Sequence, residues 1–255
     1  MFYYSALILS LFLSVSAPKA SDAATLHSII IGDTQDKAIG KSVKIDLPKM
    51  RESSKKISFY TELKLKETLL TGKDANVKNI MNTLESLAIE ENDTVILYYS
   101  GHGYRTDNPK DNRWPNVSPP GWEGVNLEFM TEILLNKNPR LILAIADCCN
   151  NIITEMYAPE TLIRRDLVNE KTLKTNYKKL FIETKAVILA SGSSPSKFAY
   201  CDGKNGGHFT FYYLRFLNEE LKKWEATADW NNIFSQAKDK LEKQQQPQYE
   251  IIWRN

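Results

Sequence analysis

LILAIADCCN, residues 141–150, runs six apolar residues into an aspartate and two adjacent cysteines. An unbroken apolar run of this length reads as a strand of a parallel sheet, because such a strand is covered by helices on both faces and meets no water on either side. Three more runs share the pattern: TLHSIIIG (25–32), DTVILYYSG (93–101) and KAVILASG (185–192). ISFYTELKLK (57–66) alternates more and reads as a fifth strand nearer an edge. Between these runs the apolar spacing turns helical. Val77, Ile80, Met81, Leu84 and Leu87 follow Asp74, a candidate N-cap. Leu127, Met130, Ile133 and Leu134 make a second stripe, Phe209, Tyr212, Tyr213, Phe216 and Leu217 a third, and Trp230, Ile233, Phe234, Ala237 and Leu241 a fourth. Aromatic stripes at this spacing are core faces. Strand and helix in alternation predict an α/β domain, with helices on both faces of a mostly parallel sheet.

The chain of 255 residues is long enough to bury a full core, and its 42 % apolar and 25 % charged residues are ordinary for a globular protein. A net charge of +2, spread without a basic block, argues against a nucleic-acid-binding function. Residues 1–23 stand apart. FYYSALILSLFLSVSA is continuously apolar or small, and PKASDAA offers small residues for cleavage. This stretch predicts a signal peptide and a secreted or periplasmic location, with an uncleaved anchor as the alternative. Residues 24–255 then form one domain, with no stable membrane association once the signal is removed. Cys148, Cys149 and Cys201 are too few for a disulfide scaffold, and their odd number leaves at least one free thiol. YRTDNPKDNRWPNVSPPGW (104–122) and the basic stretch 157–181 read as long loops.

Ligands of open α/β sheets bind at the carboxyl ends of the parallel strands. His102, between Gly101 and Gly103, lies just past one such end, and Cys148 and Cys149 lie just past another. A cysteine there can be packing, a metal ligand, half of a disulfide or a nucleophile. With a histidine on the same rim it suits a thiol nucleophile served by an imidazole acid/base. The glycines would let a substrate approach the backbone, and the N–H of Gly103 could face a developing oxyanion.

An apolar strand ending in Ser-Gly-His-Gly, followed by one ending in Asp-x-Cys, resembles the caspase-like cysteine peptidases, metacaspases above all. The 47 residues from His102 to Cys149 are near the interval of about 50 in caspases. ILASGSSPSKFAY, GGHFTFYYLRFL and QQQPQYE are similar to the family's substrate-loop, helix and terminal segments, so the resemblance spans about residues 25–253. It implies a caspase-like α/β/α sandwich on a six-stranded sheet, and cleavage of polypeptides with no organic cofactor. It implies His102 as acid/base, Cys149 as nucleophile, and the N–H groups of Gly103 and Cys149 as the oxyanion site. Asp147 and Asp46 would bind the residue before the cut, favouring Arg or Lys, and Ser191, Ser193 and Ser194 would line the cleft. It further implies self-cleavage after one of Arg164, Arg165, Lys171, Lys174, Lys178 or Lys179. Two features depart from the metacaspase pattern: Asn150 and Asn151 follow Cys149, and the Gly-Cys-x-Asn before the first helix's Asp is missing.

Other readings are weaker. Cys148, Cys149 and a histidine lack metal-binding Cys-x-x-Cys spacing. Calcium dependence is a property of many metacaspases, yet Asp107 and Asp111 read as turn residues and no metal site is assigned. Gly40-Lys41-Ser42 suggests a phosphate loop, but Gln35 stands where that motif needs glycine. His27 reads as structural, His208 as a helix-start residue, and Cys201 as a loop thiol with a bridge to Cys148 as one option. The chief functional rival is a catalytically silent caspase-fold binding or scaffold module.

Overall fold

The computed structural model describes residues 23–106, 112–121, 123–150 and 169–254. Residues 1–22 of the predicted signal peptide, Asp107, Asp111, Asn151, Arg164 and Arg165 lie outside them. Strand β1 (Thr25–Gly32) leads into helix α1 (Gly40–Thr61), β2 (Lys64–Thr71), α2 (Val77–Ser86) and β3 (Thr94–Ser100). Three short strands follow, β4 (His102–Tyr104), β5 (Asn116–Ser118) and β6 (Val125–Asn126), then α3 (Leu127–Leu135) and β7 (Leu141–Asp147). The described chain resumes at α4 (Glu170–Lys178) and continues through β8 (Ala186–Ser191), β9 (Cys201–Asp202), β10 (Gly206–Gly207), α5 (His208–Leu221), α6 (Trp230–Leu241) and β11 (Gln248–Trp253).

The main sheet has six strands in the order β11-β8-β7-β3-β1-β2, all parallel except β11, which runs antiparallel to β8. All residues of β1, β3, β7 and β8 are buried, as their unbroken apolar sequences require. Alternate side chains feed two cores. Leu26, Ile30, Ile96, Tyr98, Leu143, Ile145 and Ile188 pack with residues of α1, α5 and α6; Ile29, Ile31, Val95, Leu97, Ile142 and Ala144 pack with residues of α2 and α3. This is the expected α/β/α sandwich.

Three expectations are corrected. Residues 57–61 end α1 and the strand begins only at Lys64. The reason is the spacing Val43, Leu47, Met50, Ser54, Ile57, Thr61, one buried helical stripe. Pro48 does not end that helix. An interior proline costs about 3 kcal/mol, but each buried Val, Leu, Ile or Met on the stripe contributes roughly 1.5–3 kcal/mol. The N-cap of α2 is Asn76, whose side chain accepts from the N–H of Asn79, rather than Asp74. The stretch 157–181 is in part helical: Lys171, Lys174 and Lys178 sit on α4, and Lys179 begins a wider turn, so none of the four presents the extended backbone that a peptidase cleft holds.

Candidate active site

β3 and β7 are neighbours in parallel register, Thr94 opposite Leu141 through Ser100 opposite Asp147. The register decides the site. His102 and Cys149 each stand two residues past the paired ends Ser100 and Asp147, so they leave the sheet side by side. The strand order reverses direction between β1 and β3, so the crevice where an open sheet binds its ligand opens on the β1 side of His102, along this same rim.

The two cysteines part company through strand alternation. Cys148 continues the face of Ala144 and Ala146 into the core, 2 % exposed. Burial first, then Cys149 and Asp147 nearby, push its thiol well above the ordinary value. Cys149 faces the other way. Its Sγ lies 3.6 Å from the carbonyl oxygen of Ala199, which it approaches as donor, and 3.4 Å from the Ala199 N–H, which donates to it. Burial raises its pKa, the Ala199 N–H opposes this, and Asp147 adds to the rise. The resting group is therefore a thiol that needs a base. All three cysteines are free, so the optional Cys148–Cys201 bridge is absent.

Gly103 packs directly on the cysteine pair: a Cβ there would stand 2.5 Å from Cys148 Sγ and 2.5 Å from the Cys149 carbonyl oxygen. Among the described residues, three contacts hold His102. β4 pairs it with Ser118, the Tyr99 hydroxyl donates to its carbonyl at 2.8 Å, and its Nε2 lies 3.2 Å from Asp36 Oδ2.

Beside Cys149 two buried carboxylates meet, one at the end of β7 and one on α1. Asp147 Oδ2 accepts the N–H and the hydroxyl of Thr210, at 2.8 and 2.7 Å. Asp46, on α1, accepts the N–H of Gly207 at 3.0 Å and the Ser100 hydroxyl at 2.9 Å. Oδ2 atoms of both acids lie within 3.1 Å of where a Gly207 Cβ would be, so only glycine fits between them. Burial, then repulsion from Asp147, pushes Asp46 up to about 8; burial also raises Asp147. Asp46 therefore retains a proton in the folded chain over a pH range where the unfolded chain has lost it. The stability contributed by this group is lost as pH rises from about 4 through about 8. Asp46→Asn is expected to be more stable than the wild type at pH 9 and no more stable at pH 4, read by thermal melts at both; equal melts at pH 9 would contradict a strained acid pair.

Of the predicted cleft serines, Ser191 and Ser193 are fully buried. Ser191 donates to the Ser193 carbonyl, and Ser193 donates to the Cys148 carbonyl, so both brace the strand end from beneath. Ser194 is nearer the surface and donates to the Gln246 carbonyl. His27 pairs with buried Asp93 at 3.0 Å and His208 opens α5 while pairing with Asp202 at 3.1 Å. The Gly40-Lys41-Ser42 segment opens α1, and Ser42 donates to the Asp202 carbonyl rather than facing an empty cradle. Sequence reasoning missed Asp36, Ser100, Gly207 and Thr210. Ser100 alone had a signal, as the strand-end residue in SGHG that the register sets opposite Asp147.

No curated protein matches the chain. The crystal structure of protein GSU0716 from Geobacter sulfurreducens superposes with a TM-score of 0.56 at 13 % identity, over 91 % of this chain and 94 % of that one, a likeness of fold. The family model for the caspase domain matches residues 28–253, which include both strand-end motifs, the acid pair and the terminal strand. The chain belongs to the caspase-domain family of cysteine peptidases.

Proposed function

We propose that this chain is an exported cysteine endopeptidase that cuts polypeptides after arginine or lysine. The observation that carries the reading is the β3/β7 register, which delivers His102 and Cys149 to one rim beside two buried carboxylates. His102 takes the proton of Cys149 as Sγ bonds to the substrate carbonyl carbon. The negative charge that moves onto the carbonyl oxygen is met by the N–H groups of Gly103 and Cys149. Collapse breaks the C–N bond, His102 passes its proton to the leaving amine, and the acyl group remains as a thioester. Water, deprotonated by His102, then hydrolyses the thioester and frees Cys149. The Ala199 peptide against Sγ has to yield to the substrate. Export rests on the apolar stretch 1–23. No helix among the described residues is long and apolar enough to cross a membrane.

The test is a set of fluorogenic peptides with Arg, Lys, Asp or Asn before the cut, alongside a peptidyl electrophile carrying Arg. Hydrolysis, and an intact-mass adduct mapped to Cys149, are expected. A protein that cuts none of the peptides and takes no adduct is a silent scaffold, and the reading fails.

A further inference from the structure

We propose that Asp36 is a positioning residue that converts the His102–Cys149 pair into an Asp36–His102–Cys149 relay; the inference rests on the peptidase reading above. Asp36 sits in the β1–α1 loop, on the far side of His102 from β7, across the crevice where the strand order reverses. Its two oxygens divide the work. Oδ1 accepts the backbone N–H groups of Ala38 at 2.7 Å and Ile39 at 2.9 Å, which locks the carboxylate onto the turn that opens α1. Oδ2, held by that lock, stands 3.2 Å from His102 Nε2. Asp33 sets the turn in its turn, its Oδ1 accepting the N–H groups of Gln35 and Asp36. A carboxylate tied down at one oxygen and aimed at an imidazole nitrogen with the other is the arrangement that orients a general base.

The consequence is a choice of tautomer. An ionised carboxylate only accepts, so Nε2 must carry the hydrogen, and Nδ1 becomes the basic nitrogen that exchanges a proton with the Cys149 thiol. Burial works to raise the pKa of Asp36, but the Ile39 and Ala38 N–H groups and then the imidazole outweigh it and keep the group below its ordinary value, hence ionised. As the thiol proton moves to Nδ1 the ring becomes a cation, and the carboxylate at Nε2 stabilises that charge. When Nδ1 gives the proton to the leaving amine the ring returns to the same tautomer, so no net proton reaches Asp36. The pair borders a cavity of about 250 Å³ lined also by Ser118, Pro119 and Pro120. Water reaches the pair, so its effect is smaller than that of a wholly buried carboxylate.

Asp36→Asn separates positioning from folding. The amide oxygen can keep the Ala38 and Ile39 N–H bonds, which turns the NH2 toward Nε2 and favours hydrogen on Nδ1, the unproductive tautomer. Asp36→Ser keeps an oxygen for the turn and removes the contact. For Asp36→Asn, kcat is expected to fall about ten- to a hundredfold with KM within about twofold. Asp36→Ser should lie between Asp36→Asn and wild type. Long-range 1H–15N spectra of the neutral His102 ring should show the hydrogen on Nε2 in the wild type and moved toward Nδ1 in Asp36→Asn. An unchanged tautomer, or Asp36→Asn turning over at the wild-type kcat, overturns the inference. If the wild type cuts no peptide but its tautomer still depends on Asp36, the peptidase reading falls while the positioning role stands.

Discussion

Cys149→Ala is expected to lower peptide hydrolysis by at least about 10⁴-fold, while Cys148→Ala stays within about tenfold of the wild type. The first figure follows from removing the atom that, on the proposed mechanism, forms the acyl bond, which leaves binding and the oxyanion donors with nothing to act on. The second follows from burial. Cys148 is 2 % exposed, its Sγ packs against Gly103, and its thiol is held far from ionisation. Truncating it opens a small void and costs about 1 kcal/mol of stability, which a thermal melt would register. Some activity is lost through Gly103, since the glycine backbone rests on that sulfur. Matched assays of both variants, with electrophile labelling by intact mass, decide the matter. An active Cys149→Ala, or an inert and unlabelled Cys148→Ala that still melts cooperatively, would reverse the assignment.

The strand ends show where sequence reasoning succeeds. β1, β3, β7 and β8 were legible because a strand covered on both faces has no polar side to blur its ends, and His102 and Cys149 were legible because they stand directly past such ends. The end of α1 was misread because its buried stripe includes Ser54 and Thr61, polar residues whose hydroxyls bond back to Met50 and Ile57 carbonyls. The rest of the site is assembled across distant segments. Asp46 meets Gly207 from 161 positions away, and Asp147 meets Thr210 from 63. Asp36 lies in a polar turn, whose acids look like any solvated loop until the fold sets one against an imidazole. The serine-rich loop misled in the opposite sense: Ser191 and Ser193 read as cleft hydroxyls, and their donors are spent inside the protein.

Cleavage after Arg or Lys is expected to exceed cleavage after Asp by at least about a hundredfold in kcat/KM, some 2.7 kcal/mol of transition-state discrimination. The expectation rests on the acid pair beside Cys149. A substrate carboxylate brought against Asp147 and Asp46 would add a third negative group to a site already too buried to ionise two, and an unpaired buried charge costs several kcal/mol. A guanidinium offers the opposite charge and a fork of donors that a carboxylate accepts bidentately. Nearby cations act only as the smallest influences, Lys49 on Asp46 and His208 on Asp147. Lys44 is exposed, and the Lys49 amino group is engaged by the Asn205 carbonyl at 2.6 Å. Without a substrate, Asp46 holds a proton up to about pH 8, and a bound guanidinium would favour the charged carboxylate. Binding of arginine must therefore expel that proton, which is harder at low pH. The preference for arginine over its uncharged isostere citrulline should accordingly grow as pH rises toward 8, and comparing the two substrates cancels the titration of the shared thiol and imidazole. Asp147→Asn should remove most of the preference while Cys149 still takes a small electrophile, because an asparagine oxygen can go on accepting the Thr210 N–H that positions this strand end. A wild type that cuts after Asp or Asn, or an arginine-to-citrulline ratio flat from pH 5 to 9, would detach the acid pair from specificity and leave it as strain in the sheet without a substrate to relieve it.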